Sequence, residues 1–91
     1  MAEGTKPKAT VRALARYLRS NPQASDTAEG IRLWWLDPGV EITMEQLQTA
    51  IDWLQEHGIV EELRAADGRR RYRRIANDAQ LDGVLRDASQ D

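Results

Sequence analysis

Thr43-Met44-Glu45-Gln46-Leu47-Gln48-Thr49-Ala50-Ile51-Asp52-Trp53-Leu54-Gln55-Glu56-His57-Gly58-Ile59-Val60 is the stretch on which the fold turns. Thr43 has the chemistry of a helix N-cap, and Gln46, three positions on, can reach back to complete a capping box. Met44, Leu47, Ile51 and Leu54 then recur at helical spacing and define one inward stripe, and Gly58, after His57, supplies the stop. The other face carries Glu45, Gln48, Thr49, Asp52, Gln55 and Glu56, with Trp53 at the edge of the stripe.

Downstream, Ile59-Val60-Glu61-Glu62-Leu63 and Arg69-Arg70-Arg71-Tyr72-Arg73-Arg74-Ile75 flank Arg64-Ala65-Ala66-Asp67-Gly68. Two extended runs around Asp-Gly are the pattern of a β-hairpin. Tyr72 and Ile75 are three apart and would face opposite ways on a regular strand, so either the strand ends before Ile75 or a bulge corrects the register. Residues 77–88 then suit a short helix with Leu81, Val84 and Leu85 on one side, interrupted by Gly83.

Upstream, Val11, Leu14, Ala15 and Leu18 predict a first helix over 10–20, capped by Thr10 and stopped by Asn21-Pro22. Arg12, Arg16 and Arg19 form a basic stripe on its outer face. Asp26-Thr27-Ala28-Glu29 has the form of a second capping box and opens a helix that runs to about Leu36. Ala28, Ile31 and Trp35 share its core-facing stripe, while Leu33, Trp34 and Leu36 lie at other angles, so some of that apolar surface needs cover. A short β segment, Val40-Glu41-Ile42, is expected before the third helix.

With 91 residues the chain has the size of one domain, and 41% hydrophobic with 31% charged residues is a composition that folds. We expect a disordered tail over 1–8, a folded domain over 9–76 and a C-terminal helix or tail over 77–91. The chain has no cysteine, which removes disulfides and thiolate chemistry and fits a reducing compartment. The first residues lack an apolar run and no stretch approaches the roughly 20 apolar residues of a membrane span, so a cytoplasmic protein without membrane contact is expected. The formal charge of −2 is unevenly laid out: residues 1–20 carry +4, 21–63 carry −8, 64–75 carry +5 and 76–91 carry −3. Two basic blocks therefore flank an acidic one.

Three helices followed by a hairpin resemble the winged helix-turn-helix superfamily, particularly its small prokaryotic regulators. Leu47, Ile51 and Leu54 with His57-Gly58-Ile59-Val60 look like the superfamily's helix-into-wing signature, and Asp67-Gly68-Arg69 with Tyr72 looks like its wing tip and returning strand. The resemblance covers roughly residues 9–76. It implies an α+β winged helix, with a three-helix core, a β-hairpin wing and room for a short C-terminal helix. It also implies a transcriptional regulator whose partner is double-stranded DNA.

In that family the third helix, here 43–57, faces the major groove. The positions carried over are Thr43, Glu45, Gln46, Gln48, Thr49 and Asp52, of which the glutamines and threonines suit adenine edges, thymine methyls or phosphate. No basic residue lies between Arg32 and Arg64. Phosphate neutralisation therefore falls to Arg69, Arg70, Arg71, Arg73 and Arg74 in the wing and to Arg12 and Arg16 in the first helix. Four such contacts would give a slope of log affinity against log salt of about −3.6.

The alternative is a winged-helix protein-interaction module that uses the Trp34-Trp35-Leu36 cluster and the acidic third helix without binding DNA. A homodimer is expected in either case, with Trp34, Trp35, Leu36, Leu81, Val84 and Leu85 at its interface. Nothing suggests an enzyme. His57 is the single histidine and sits where it can cap a helix. Ser20, Ser25 and Ser89 stand in no triad context, no Gly-rich phosphate loop appears, and no metal or cofactor is implied.

Overall fold

Helix formation over the central stretch begins with the expected box: Thr43 Oγ1 accepts from the Gln46 N–H and Gln46 Oε1 accepts from the Thr43 N–H, both at 3.0 Å. The computed structural model describes residues 8–37, 39 and 41–89. Its elements are α1 (Lys8–Ser20), β1 (Ser25–Asp26), α2 (Ala28–Gly30) continuing as a π-helical segment (Ile31–Trp35), α3 (Met44–Glu56), β2 (Val60–Arg64), β3 (Arg70–Arg74) and α4 (Asp78–Ser89). The class is α+β, with a small three-stranded antiparallel sheet of order β1-β3-β2.

Leu47, Ala50, Ile51 and Leu54 are the buried face of α3, and Met44, expected to lead that stripe, is exposed at its first turn. Gly58 takes φ 72°, a left-handed conformation that side chains resist, and lets the chain reverse so that the Ile59 N–H reaches the Leu54 carbonyl at 2.8 Å. The hairpin follows at once. Glu62 stands opposite Tyr72 and Leu63 opposite Arg71, while Gly68 at φ 86° closes the turn. Tyr72 is buried against the helices, which puts Arg71 and Arg73 on the outer face of the sheet. The register conflict resolves by termination: β3 stops at Arg74, Ile75 points outward and Ala76 goes in.

The region before the second helix departs from expectation. Ser25 and Asp26 do not open a helix but pair with Arg73 and Tyr72 as a third strand. The N-cap is Thr27, whose Oγ1 accepts from the Gly30 N–H at 3.2 Å, while Asp26 Oδ1 accepts from the Thr27 N–H at 2.8 Å. Strand pairing satisfies backbone groups of β3 that local helix chemistry would have left open. The helix then widens at Ile31–Trp35 instead of continuing as α to Leu36. In an α-helix Trp34 would share the side of Ile31, three positions earlier. The i→i+5 winding advances each residue by a smaller angle, which turns Trp34 further from the Ile31 side, while Trp35 faces the core in either winding.

Helix α1 starts at Lys8, so the expected tail loses that residue, and residues 1–7 lie outside the described ones. Of the expected strand at 40–42, Val40 is also outside them, and Glu41 and Ile42 have no regular structure. Helix α4 is capped by a box absent from the sequence reading, with Asn77 Oδ1 accepting from the Gln80 N–H at 2.8 Å and Gln80 Oε1 from the Asn77 N–H at 2.9 Å. It packs along α1, burying Leu81 and Val84. No helix among the described residues is long and apolar enough to cross a membrane.

Gly30 marks the tightest approach in this frame, because the Asp26 carboxylate occupies the place its Cβ would take. An open helical position would gain about 0.4–1 kcal/mol from Gly→Ala. Gly30→Ala must instead push the Asp26 carboxylate aside and off the Thr27 N–H, which is expected to cancel that gain and leave a net cost of up to about 1 kcal/mol. Urea unfolding checks this, and the Gly30→Ala/Asp26→Ala pair should lose less than the sum of the single changes.

Candidate functional site

The polar side chains on the outer face of α3 make hydrogen bonds within the helix. Thr43 and Gln46 are committed to the capping box, Gln48 Nε2 donates to Asp52 Oδ1 at 2.9 Å, and Thr49 Oγ1 donates to the Glu45 carbonyl at 2.9 Å. The four residues expected to read bases are thus each engaged within their own helix. Glu45, Asp52 and Glu56 leave that face acidic, with no cation on the helix.

The hairpin arginines look alike in sequence and differ in place. Arg74 points inward with a side chain only 10% exposed. Its Nε donates to the Ala76 carbonyl at 2.6 Å, Nη1 to the Leu18 carbonyl at 3.2 Å and Nη2 to Asp78 at 2.6 Å. This corrects its expected role as a DNA contact: Arg74 ties the end of the sheet to the last turn of α1 and the first turn of α4. Arg73 bonds Glu61 across the strands at 2.6 Å, Arg70 and Arg64 approach Glu62 at 3.8 and 4.0 Å, and Arg69 approaches Asp67 at 3.9 Å. Each of these exposed pairs contributes little to stability, yet together they cancel much of the basic field the sequence promises. Arg12, Arg16 and Arg71 have no carboxylate within 4 Å among the described residues.

Arg19 extends the lock made by Arg74. Its Nε bonds Asp82 at 3.0 Å and its Nη1 lies 3.4 Å from Asp78. The bond from Arg74 holds the Asp78 carboxyl below its ordinary value, with the charge of Arg19 adding to it. The bond to Asp82 and the charges of Asp78 and Asp82 push Arg19 up.

The proposed dimer face is also corrected. Trp35, Leu36, Leu81 and Val84 belong to the core of a single chain and Leu85 packs against it, because α4 covers α1 and Trp35 stacks on Tyr17 at 4.9 Å. Of that set Trp34 alone is exposed, at 72%, and Leu33 beside it is 61% exposed. Leu33 and Trp34 were both visible in the sequence as apolar residues off the stripe, whereas the π winding of their segment was not. Trp53 takes another route to cover, stacking on His57 at 3.7 Å while the His57 Nδ1 lies 2.8 Å from the Trp53 carbonyl.

A second surface feature lies on the outer face of the sheet. The loop from Pro22 to Ser25, Leu63, Arg73 and Ile75 line an open groove, and Ile75 is 52% exposed. Among the described residues no cluster of carboxylates or histidine has the form of a metal site.

Compared with known proteins, the chain matches no family model, no curated protein and no solved structure.

The different roles of the arginines are measurable. Arg74→Ala is expected to destabilise by about 1–2 kcal/mol, since it strips three hydrogen bonds made by a largely enclosed guanidinium. Arg71→Ala should stay within about 0.5 kcal/mol, and chemical denaturation reads both. For Asp78, a depressed carboxyl contributes stability that is complete above its ordinary value near 3.8 and is lost as pH falls through the lower folded value. The melting temperature of the wild type should therefore fall more steeply below about pH 4 than that of Asp78→Asn.

Proposed function

We propose that this chain is a winged helix-turn-helix domain that works as a protein-interaction module, docking through Leu33 and Trp34. The order of three helical segments and a hairpin supports the winged-helix reading. The observation that carries the function is the exposure of Leu33 and Trp34, side by side, in a chain that buries its other two tryptophans wholly or in part. Large aromatic side chains dominate interface energetics, and a paired apolar projection on a small soluble domain calls for a partner. The acidic α3 face opposes contact with phosphates, since affinity for DNA comes chiefly from neutralising them.

One observation favours the DNA reading: Arg12, Arg16 and Arg71 have no carboxylate partner among the described residues. If all three met phosphates, the salt slope would be about −2.7, shallower than four wing contacts would give.

Two measurements separate the readings. Anisotropy of a labelled random duplex at physiological salt is expected to show no binding tighter than roughly 10⁻⁴ M, the weak end of non-specific association. Saturable micromolar binding with a slope near −2.7, abolished by Arg12→Ala/Arg16→Ala/Arg71→Ala, would establish DNA binding instead. A photoreactive phenylalanine analogue in place of Trp34 should form a discrete protein adduct in cells, and the same analogue in place of Gln48 should not. An adduct at 48 with none at 34 overturns the docking role of the ridge.

A further inference from the structure

We infer that the partner of the Leu33–Trp34 ridge is a second copy of this chain, bound head to tail, with the ridge of one copy seated in the groove on the outer sheet face of the next. This rests on the docking role proposed above. The two patches complement each other in shape class and chemistry. One is convex, made by two exposed side chains on the π-helical segment. The other is concave, with Pro22, Ala24, Leu63 and Ile75 as apolar lining and Arg73 as a wall. Ile75 is available there because β3 ends one residue before it and the chain turns Ala76 inward instead.

Charge favours the same pairing. The segment that follows the ridge presents exposed Asp37, Glu41 and Glu45, which outnumber the one exposed cation beside the ridge, Arg32, and no further cation follows before Arg64. The groove lies on the cationic face of the sheet. Arg71 stands directly across from Leu63 on that face and has no carboxylate partner among the described residues, while Arg73 on the same face is already bonded to Glu61 at 2.6 Å, so Arg71 is the unanswered charge. Seating the ridge would bring carboxylates of one copy toward arginines of the next. A formal charge of −2 leaves little net repulsion between copies.

Because ridge and groove are different patches, the contact is heterologous and leaves one free ridge and one free groove at the ends of every open assembly. Association then continues into rings or open chains. Two side chains bury far less than the roughly 1,200 Å² of a stable interface, so each contact is weak and reversible.

Sedimentation velocity on the full chain over a concentration series tests this. The wild type is expected to show an average mass that climbs with concentration beyond the dimer. Trp34→Ala, or Leu33→Lys as a second ridge variant, and Ile75→Glu should each remain monomeric with unchanged circular dichroism, since all three positions are exposed. Mixed one to one, Trp34→Ala and Ile75→Glu should form a dimer and stop there, because one supplies the intact groove and the other the intact ridge. Arg71→Glu should lose most of the association, and raising salt should weaken the wild type.

Three results overturn the inference. One is a wild type that stays monomeric throughout. Another is dimerisation of Ile75→Glu alone, which marks a ridge-on-ridge contact. The third is failure of the two blocked variants to complement. A monomeric wild type that still gives a photo-adduct at position 34 with a different protein would reject self-docking while keeping the interaction module. Absence of any adduct would reject the module itself.

Discussion

The guanidinium of Arg74 is the joint on which the architecture depends. It meets the carbonyl of Leu18 at the end of α1, the carbonyl of Ala76 just after the sheet and the carboxylate of Asp78 in the first turn of α4. Carbonyls at a helix C-terminus lack intrahelical partners, and a cation there is favoured by the helix dipole, just as Asp78 is favoured at the start of α4. One side chain thus ties together the end of α1, the end of β3 and the first turn of α4. Arg19 repeats the connection one turn away through Asp78 and Asp82. With the strand ended at that point, Ile75 is left outside and Leu81 is delivered onto α1.

The local chemistry of α3 and the hairpin was legible from sequence because every level agreed there: a reciprocal cap, a regular apolar spacing, a glycine stop and an Asp-Gly turn. The region from Ser25 to Trp35 was not. Asp26 and Thr27 are both good caps, and what decides between them is a two-residue strand pairing with Tyr72 and Arg73, far away in sequence. No window around Asp26 contains that information. The π winding is hidden in the same way, since Ile31 and Trp35 fit the inward face of either helix type. The arginines of the hairpin were legible as a charge block but not as individuals. Only the register tells Arg74, enclosed, from Arg71, open, and only the register sets Glu61 and Glu62 among them.

That last point changes how the charge pattern is understood. Acidic and basic blocks that are separate along the chain become neighbours once β2 lies against β3 and α4 lies against α1. Much of the segregation is consumed by internal pairing, and the electrostatic face a DNA reader would need is correspondingly thin. What remains outward and unanswered is apolar at Leu33 and Trp34, mixed apolar and cationic around Ile75 and Arg71, and cationic on α1 at Arg12 and Arg16.

The π-helical segment has a consequence for how such a surface can arise. A π turn is equivalent to an α-helix that has accepted one additional residue. Removing a single residue from Ile31–Trp35 would let the helix relax to ordinary winding and rotate the following side chains relative to the core, with no change of residue type. The exposed ridge is therefore a property of chain length as much as of side-chain chemistry. Related chains could acquire or lose it by a one-residue insertion or deletion, an event that leaves composition, charge and the apolar pattern of the neighbouring helices almost unaltered.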